Sequence, residues 1–472
     1  MFDLAGIANN EKSGNYRLQE DGLMGCRVLA CGLSVARVVA LVFVGTPAGA
    51  QMSGHGETKA AEERHSEAKD QDAHDKPGIG YIGLEGSTSI PKAELEKWQE
   101  GVAEEAYRKG AVDQVRLIIF ALSFVVVYLS FAGIKRLEPV SRVLRDGVDW
   151  YTLGTVTGLV LVGLVIPSGV IITFFYMPTS TEVYNSVELM TAQPVLAFFR
   201  NLHNWSSEVF MWLMILHAAR TISTRSFMGK RKFIWLSGAI VGVIGWVAFL
   251  SGSFMRGDQE ALEGFAHMMY SFTLVPLGTT IAGFFAGELT LVRLTTLHII
   301  ATVFIMAVFL TLHVLMRKVH VNVVTRWKKA VVYSLAFTVF LVVQSIVMEA
   351  PFVRGPESGP TVAGIEATKP PWPVYFLIQG ENWFGANAMA AILAVVFVPF
   401  IVLPYVMEWL PVQAEKKAQV GEVVFYSATF FLILISYIAA AGRIQAHITG
   451  YRPTAMRSGG RLTAELRPPG NS

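Results

Sequence analysis

The stretch RNLHNWSSEVFMWLMILHAAR, residues 200–220, decides the reading of this chain. It lies in an apolar run from Val195 to Ala219, yet it carries two histidines, His203 and His217. Ionisable side chains at membrane depth are costly and are functional candidates by default. The two are 14 residues apart. At about 100° per residue they return to within about 40° of one helix face, about 21 Å apart along the axis. A second stretch, HIIATVFIMAVFLTLH at residues 298–313, repeats the device with His298 and His313, 15 apart. That spacing leaves the two rings about 60° off a common face, with a rise of about 22 Å.

Working outward, apolar stretches of bilayer length recur at Leu117 to Ile134, Tyr151 to Tyr176, Val195 to Ala219 and Phe233 to Phe254, and again at Leu297 to Met316, Ala330 to Met348, Met389 to Val406 and Val423 to Ala441. About eight spans are expected, an all-α, polytopic transmembrane helix bundle. Basic clusters follow the odd-numbered spans: Lys135, Arg136, Arg142 and Arg145; then Arg225, Lys230, Arg231 and Lys232; then Arg317, Lys318, Arg326, Lys328 and Lys329. The positive-inside rule makes that side cytoplasmic. The basic tail after Arg443 falls on the outer face and fits the rule poorly.

With this topology both histidine spans run from outside to inside. His203 then meets His298 and His217 meets His313 at matching depths, and each pair can clamp one planar haem through two imidazole nitrogens. Isolated core or proton-relay histidines would not require two pairs of equal depth. A planar group between helices also asks for positions without side chains. Gly238 and Gly252 are 14 apart and Gly154 and Gly169 are 15 apart, so all four are candidate cofactor contacts, against ordinary packing of membrane helices. Arg200, one turn before His203, and Arg220, one turn after His217, are candidate partners for haem propionates, with interfacial snorkelling as the competing explanation.

Composition agrees with a membrane protein: 472 residues, 53% hydrophobic, 16% charged and a formal net charge of only +3. The basic residues sit in short loops and the tail, so no nucleic-acid partner is expected. From Met24, Arg27 and Arg37 precede the apolar Val38 to Val44, and Ala48-Gly49-Ala50 precedes Gln51. That order reads as a secretory signal peptide, with an uncleaved anchor as the alternative. Both cysteines, Cys26 and Cys31, lie within it, which excludes disulfides, covalent c-type haem and thiolate-held clusters from a cleaved chain. Residues 51 to about 110 read as a solvated extracytoplasmic extension; its His55, His65 and His74 are irregularly spaced and read as linker residues before metal ligands.

These residues resemble the cytochrome b family of quinol:cytochrome c reductases. Arg200-Asn201-Leu202-His203-Asn204-Trp205 resembles the family's Arg-x-x-His-x-Trp, and the 14 and 15 spacings are similar to its plastid and cyanobacterial branch. Ser251-Gly252-Ser253 and Asp258-Gln259 resemble Thr-Gly-Tyr and Pro-Trp-Asp-Gln, and residues 330–441 look like the family's three-helix subunit IV. The resemblance implies a four-helix dihaem core, with two haem b, the outer on His203 and His298 and the inner on His217 and His313. It also implies that two polypeptides separate in the plastid branch are fused here. The domain scheme expected is a signal-peptide region at 1–50, the extension at 51–112, an additional helix at 113–136, a dihaem core at 145–325, a subunit IV-like part at 326–445 and a tail at 446–472.

Departures fall at the outer quinone site. Pro370-Pro371-Trp372-Pro373 stands where the family commonly has Pro-Glu-Trp-Tyr, so the glutamate position holds Pro371, which accepts no proton. Trp372, Tyr375 and Asp258 are candidates at that site, and Glu349, Glu366 or Glu381 are further possible acceptors that spacing does not rank. Arg256-Gly257 replaces Pro-Trp, and Tyr151 and Thr152 occupy the region where the plastid branch attaches an extra haem through cysteine, so that haem is not expected to be covalently bound. At the inner face His320, beside Arg317 and Lys318, is a candidate for a second quinone site, with a plain cytoplasmic loop as the alternative.

The function expected is the dihaem subunit of a bacterial bc-type complex in the inner membrane. It would oxidise quinol and pass electrons to a Rieske iron-sulfur protein and a c-type cytochrome within a dimeric, multi-subunit, lipid-embedded assembly. A dihaem anchor linking quinone to a periplasmic oxidoreductase is the alternative, and a haem-free transporter or assembly protein is a third.

Overall fold

The computed structural model describes residues 92–131, 135–287, 289–321, 327–355, 365–366, 368–385, 388–442 and 447–448. The expected signal peptide, both cysteines, His55, His65, His74 and the tail beyond residue 448 lie outside the described residues.

α1, Lys92–Phe131, is a single 40-residue helix. Its first five turns are the segment expected to be solvated, so the helix opens well upstream of residue 113. The reason is in the composition: Ala, Glu, Lys and Gln dominate 92–112 without a proline, and good helix formers continue the helix upstream of its apolar half. The apolar half of α1, through Leu117, Phe120, Phe124 and Val127, is buried in the main core. α2, Glu138–Gly147, is a short charged helix with proline in its first turn, and its Glu138 pairs with Arg142 and Arg145.

The next span is α3, Leu153–Val160, and α4, Ile166–Thr173, joined by a π turn at Leu161–Val165. α5, Val183–Ala192, leads into α6, Pro194–Ser223, a 30-residue helix opened by proline in its first turn. α7, Lys232–Phe254, returns across, and α8, Gln259–Thr273, and α9, Gly278–Phe285, follow on the far side. α10, Thr290–Thr295, runs through a second π turn at Thr296–Thr302 into α11, Val303–Val321. α12, Trp327–Val347, α13, Tyr375–Phe384, α14, Met389–Trp409, and α15, Ala414–Ala441, complete the bundle. Strand is confined, among the described residues, to an antiparallel two-residue pairing of Ile365–Glu366 with His447–Ile448.

Among the described residues, seven helices are long and apolar enough to cross a membrane. The eighth expected span, α6, has the length, at about 45 Å for 30 residues. Its apolarity is diluted by Arg200, Asn201, Ser206 and Glu208, all buried inside the bundle. Four elements surround the histidines: α3–α4 and α7 pack on α6, and α11 packs on α7.

Opposite ends of the bundle are tied separately. At the end carrying the basic clusters, Lys329 pairs with Asp149 at 3.5 Å and Lys232 with Glu408 at 2.8 Å. At the other end Trp98 of α1 donates to the Arg354 carbonyl, and Arg354 pairs with Glu188 of α5 at 3.3 Å.

The π turns account for the unequal spacings. A π turn carries one extra residue without advancing the helix face. The two 15-residue intervals, Gly154 to Gly169 and His298 to His313, each include π residues, whereas His203 to His217 and Gly238 to Gly252, at 14, run through unbroken α-helix. Fifteen residues with a π turn and 14 without it present the same face. The 60° offset that ideal geometry gives for His298 and His313 is thereby removed.

Candidate functional site

The four histidines meet in the expected pairs. His203 and His298 have ring centres 6.3 Å apart with planes at 83°, and His217 and His313 repeat the values, 6.3 Å and 83°. Two imidazoles bonded to one metal ion from opposite sides, at about 2.0 Å per metal–nitrogen bond, place their ring centres about 6 Å apart. Among the described residues no group of three or more His, Cys, Asp or Glu is gathered that could hold a metal. Two axial imidazoles suit a group that brings its own in-plane donors.

Each ring lies against a glycine. A β-carbon at Gly154 would stand 2.6 Å from His217, at Gly169 2.8 Å from His203, at Gly238 2.9 Å from His313 and at Gly252 2.8 Å from His298. The sequence reading gave these glycines to the cofactor plane. The structure sets them against the histidine rings: α3–α4 backs the two rings of α6, and α7 backs the two rings of α10–α11. Each ring is set flush against the neighbouring helix.

Three rings are also held at Nδ1. His203 Nδ1 is 2.9 Å from the Val165 carbonyl, in the first π turn, and 3.4 Å from Ser168 Oγ. His313 Nδ1 is 2.9 Å from the Ile234 carbonyl and 3.2 Å from Ser237 Oγ, and His298 Nδ1 is 3.1 Å from Ser251 Oγ. An Nδ1–H donated to a carbonyl leaves Nε2 with its lone pair, the form a metal takes. His217 is the exception, with a buried Nδ1 that has no hydrogen-bond partner. Sequence reasoning missed these serines, although the signal was present. Ser168-Gly169, Ser237-Gly238 and Ser251-Gly252 are dipeptides, and the fourth glycine follows Leu153, beside the one ring that lacks a partner.

The arginines part ways. Arg200 is buried and its terminal nitrogens donate to the carbonyls of Ala350 (3.1 Å) and Pro351 (2.6 Å). Asn201 donates to Ser345 and accepts from the Ala350 N–H, and Trp205 donates to the Met348 carbonyl. The polar residues around His203 therefore form a clamp on the end of α12, and Arg200 is part of it. Arg220 lies 4.3 Å over the Tyr151 ring and keeps a buried Nε without a partner, so a site for an anionic group stays open beside His217.

At the end of the bundle that carries Trp98, Asp258 is fully buried and both carboxylate oxygens are engaged: one caps α8 through the Ala261 N–H (2.9 Å), the other accepts from the Val353 N–H (3.0 Å). Burial pushes its carboxyl up, against the Arg256 charge. Both bonds tie Asp258 to backbone, one at the start of α8 and one on the segment after α12. Gly257 before it has φ +70°, and a β-carbon there would meet Val183 at 2.9 Å, so the position needs glycine. Trp372 is buried against Phe120 and Trp212, with an indole N–H that has no hydrogen-bond partner. Tyr375 is 1% exposed and donates to Asp113 of α1 at 2.6 Å; burial first, then Asp113, pushes its hydroxyl well up. Asp113 in turn binds Arg116 at 2.9 Å, and Arg116 stands 3.8 Å from Glu208. Lys109 reaches Glu260 at 2.8 Å and the Lys369 carbonyl at 2.7 Å. Burial opposes the charge of Glu260, but Arg256 and Lys109 hold its carboxyl below the usual value. His320 falls in the last turn of α11, with its side chain outside the described residues.

Comparison with known proteins adds the family. Residues 139–321 match the family model for cytochrome b/b6. Cytochrome b6 of Acaryochloris marina is 32% identical over 174 residues, 35% of this chain and 80% of that protein. The chain belongs to the cytochrome b family. Cytochrome b6 of a Prochlorococcus marinus strain is 32% identical over 178 residues, covering 35% of this chain and 79% of its own length, and that of Synechococcus elongatus is 29% identical over 174 residues, 35% and 80%. A solved hyperthermophilic respiratory Complex III chain aligns with TM-score 0.47 and 13% identity, over 62% of this chain and 92% of its own length. Cytochromes b bind haem b, and the paired imidazoles of this cytochrome b, backed by glycine and open at Arg220, fit that group. It is an integral membrane protein. The family match ends at residue 321, so α1 and the whole of α12–α15 lie beyond it.

Proposed function

We propose that this cytochrome b holds two haem b, one on His203 and His298 and one on His217 and His313, and serves as the quinol-oxidising subunit of a bacterial bc-type complex. The observation that carries this reading is the repetition: two imidazole pairs with the same 6.3 Å separation and 83° angle. A bound haem b supplies a one-electron carrier, and two of them at different depths give an electron a route across the bilayer.

The protein's own residues supply the rest. Gly154, Gly169, Gly238 and Gly252 seat the rings, Val165, Ile234 and the three serines fix their tautomers, and Arg220 offers charge to a propionate. Residues 326–445 take the part of subunit IV; in support, Trp235 of α7 donates to the Phe400 carbonyl of α14 at 3.0 Å, and the Arg200–Asn201–Trp205 clamp ties α6 to the end of α12. The inner-membrane setting, with the end of the bundle carrying Trp98 outside, follows from the basic clusters gathered at the other end. The electron acceptors would be a Rieske iron-sulfur protein and a c-type cytochrome, in a dimeric complex, with His320 a candidate at an inner quinone site.

Pro371 favours a second reading, a dihaem anchor that serves a periplasmic oxidoreductase without splitting the electron pair. The experiment is stopped-flow reduction of the purified complex by a short-chain naphthoquinol. Reduction of the b-type haems together with an iron-sulfur signal supports the bc-type reading. Reduction of the haems alone, with no iron-sulfur protein in the complex, favours the anchor. Quinol that reduces neither overturns both.

A further inference from the structure

Oxidation on the outer side, which this inference takes from the proposed function, breaks a quinol O–H bond, and a base must take the proton. Pro371 is no base, and the carboxylates around its loop are mostly committed. Asp258 caps α8, Glu260 is paired with Lys109 and Arg256, and Glu263 accepts from the backbone N–H and hydroxyl of Thr368. Asp113 is 1% exposed and sealed behind Tyr375. Glu349 stands exposed at the end of α12, on the segment that Arg200 and Asn201 clamp to α6.

Glu381 differs from all of these. It lies on α13, the helix that begins immediately after Pro370-Pro371-Trp372-Pro373, and its Oε2 is 3.3 Å from Nδ1 of His267 on α8, the helix that begins at Asp258-Gln259. The two motifs that resemble the family's outer quinone site thus send out one helix each, and the helices meet in a carboxylate–imidazole pair. The side chains are 15% and 19% exposed, covered enough to be held in place and open enough to exchange a proton. Trp383 and Phe384, next along α13, are 49% and 70% exposed, an aromatic edge suited to a lipid-soluble ring. Beside His267, Phe265, Met268 and Met269 belong to the apolar cluster that includes Leu294 and Leu297, the residue before His298. Proton acceptor and electron acceptor are therefore on neighbouring elements.

We propose that Glu381 takes the quinol proton in place of the glutamate that Pro371 has displaced, with His267 as its positioning residue. The hydroxyl O–H bond breaks, the proton goes to the Glu381 carboxylate and on to water at the outer face through the His267 imidazole, and the electron goes to a one-electron acceptor, a b haem or an iron-sulfur centre. The second hydroxyl and electron leave in a second such step. Other titratable groups near the pair are few: Glu260, Glu263 and Tyr270 on α8, Tyr375 on α13, and Tyr437 in the outer half of α15. α9 carries none, and neither does α7 beyond Lys232 or α14 before Tyr405.

The test is naphthoquinol-driven haem reduction in wild type, Glu381→Gln, Glu381→Asp and His267→Gln from pH 5.5 to 9, with haem content and the dithionite-reduced spectrum measured on each. Binding of the oxidised short-chain naphthoquinone, which has no proton to give, is followed by tryptophan fluorescence. The expected result is that Glu381→Gln keeps its haems and binds the quinone with unchanged Kd. Its kcat falls about 100-fold, the low end for loss of a general base, and its pH dependence flattens. Glu381→Asp recovers part of the rate, and His267→Gln shifts the midpoint of the pH profile. Wild-type rate and pH profile in Glu381→Gln would overturn the proposal. So would loss of quinone binding in step with rate in both Glu381→Gln and His267→Gln, the mark of a structural role. A wild-type protein without haem would overturn the dihaem reading itself, and the proposal with it.

Discussion

A single methyl group separates a seated histidine from a displaced one at four places in this protein. At Gly252 a β-carbon would stand 2.8 Å from His298 Cε1, whereas at Gly158, one turn from Gly154 on the same span, nothing lies within 4 Å. Gly252→Ala is therefore expected to cost about 1–3 kcal/mol of overpacking at the His203–His298 pair. Pyridine haemochrome assay should count one haem per chain in place of two, and Gly158→Ala should keep both. Lys369 gives a second residue-scale expectation. Desolvation by burial, opposed by Asp113 and aided by Lys109, lowers its ammonium to about 8. Between that value and the ordinary 10.5 the unfolded chain holds the extra proton, so stability rises with pH across this window and the cost of the buried charge returns as pH falls through 8. The thermal midpoint of wild type should rise relative to that of Lys369→Met between pH 8 and 10.5.

At the scale of elements, the histidine positions were legible because period and charge both mark them, and the reason for their unequal spacing was not. Nothing in Thr296 to Thr302 announces a π turn. Backbone geometry supplies it, and Pro167, two residues beyond Leu161–Val165, is a local reason for the other. If the extra residue is what keeps His298 and His313 in register, removing it from the π turn should be harmless. Deletion of Ile300, 63% exposed and inside the turn, should leave a regular helix with a 14-residue interval and both haems. Insertion of one alanine after Phe304 should rotate the rings by about 100° and lose the pair. Equal loss of haem in both variants would contradict the account. α1 was legible only in its apolar half. Its upstream turns carry Lys109 and end at Asp113 and Arg116, so hydropathy reads them as solvated, yet these side chains reach Glu260, Tyr375 and Glu208. Pairing within the bundle, which no single segment displays, is what hid them. The same holds for Glu381, whose partner is 114 positions away on α8.

For the whole molecule, the orientation of the spans brings His203 level with His298 and His217 level with His313, and every functional statement depends on that match. The measurement that tests it most directly is a dithionite-reduced minus oxidised spectrum with haem quantification on the purified wild-type protein, on His217→Ala and on His298→Ala. Two b haems per chain in wild type and one in each variant, with different haems lost from the two, is the expected result. One haem unaffected by both substitutions, or none at all, would contradict the paired-histidine account.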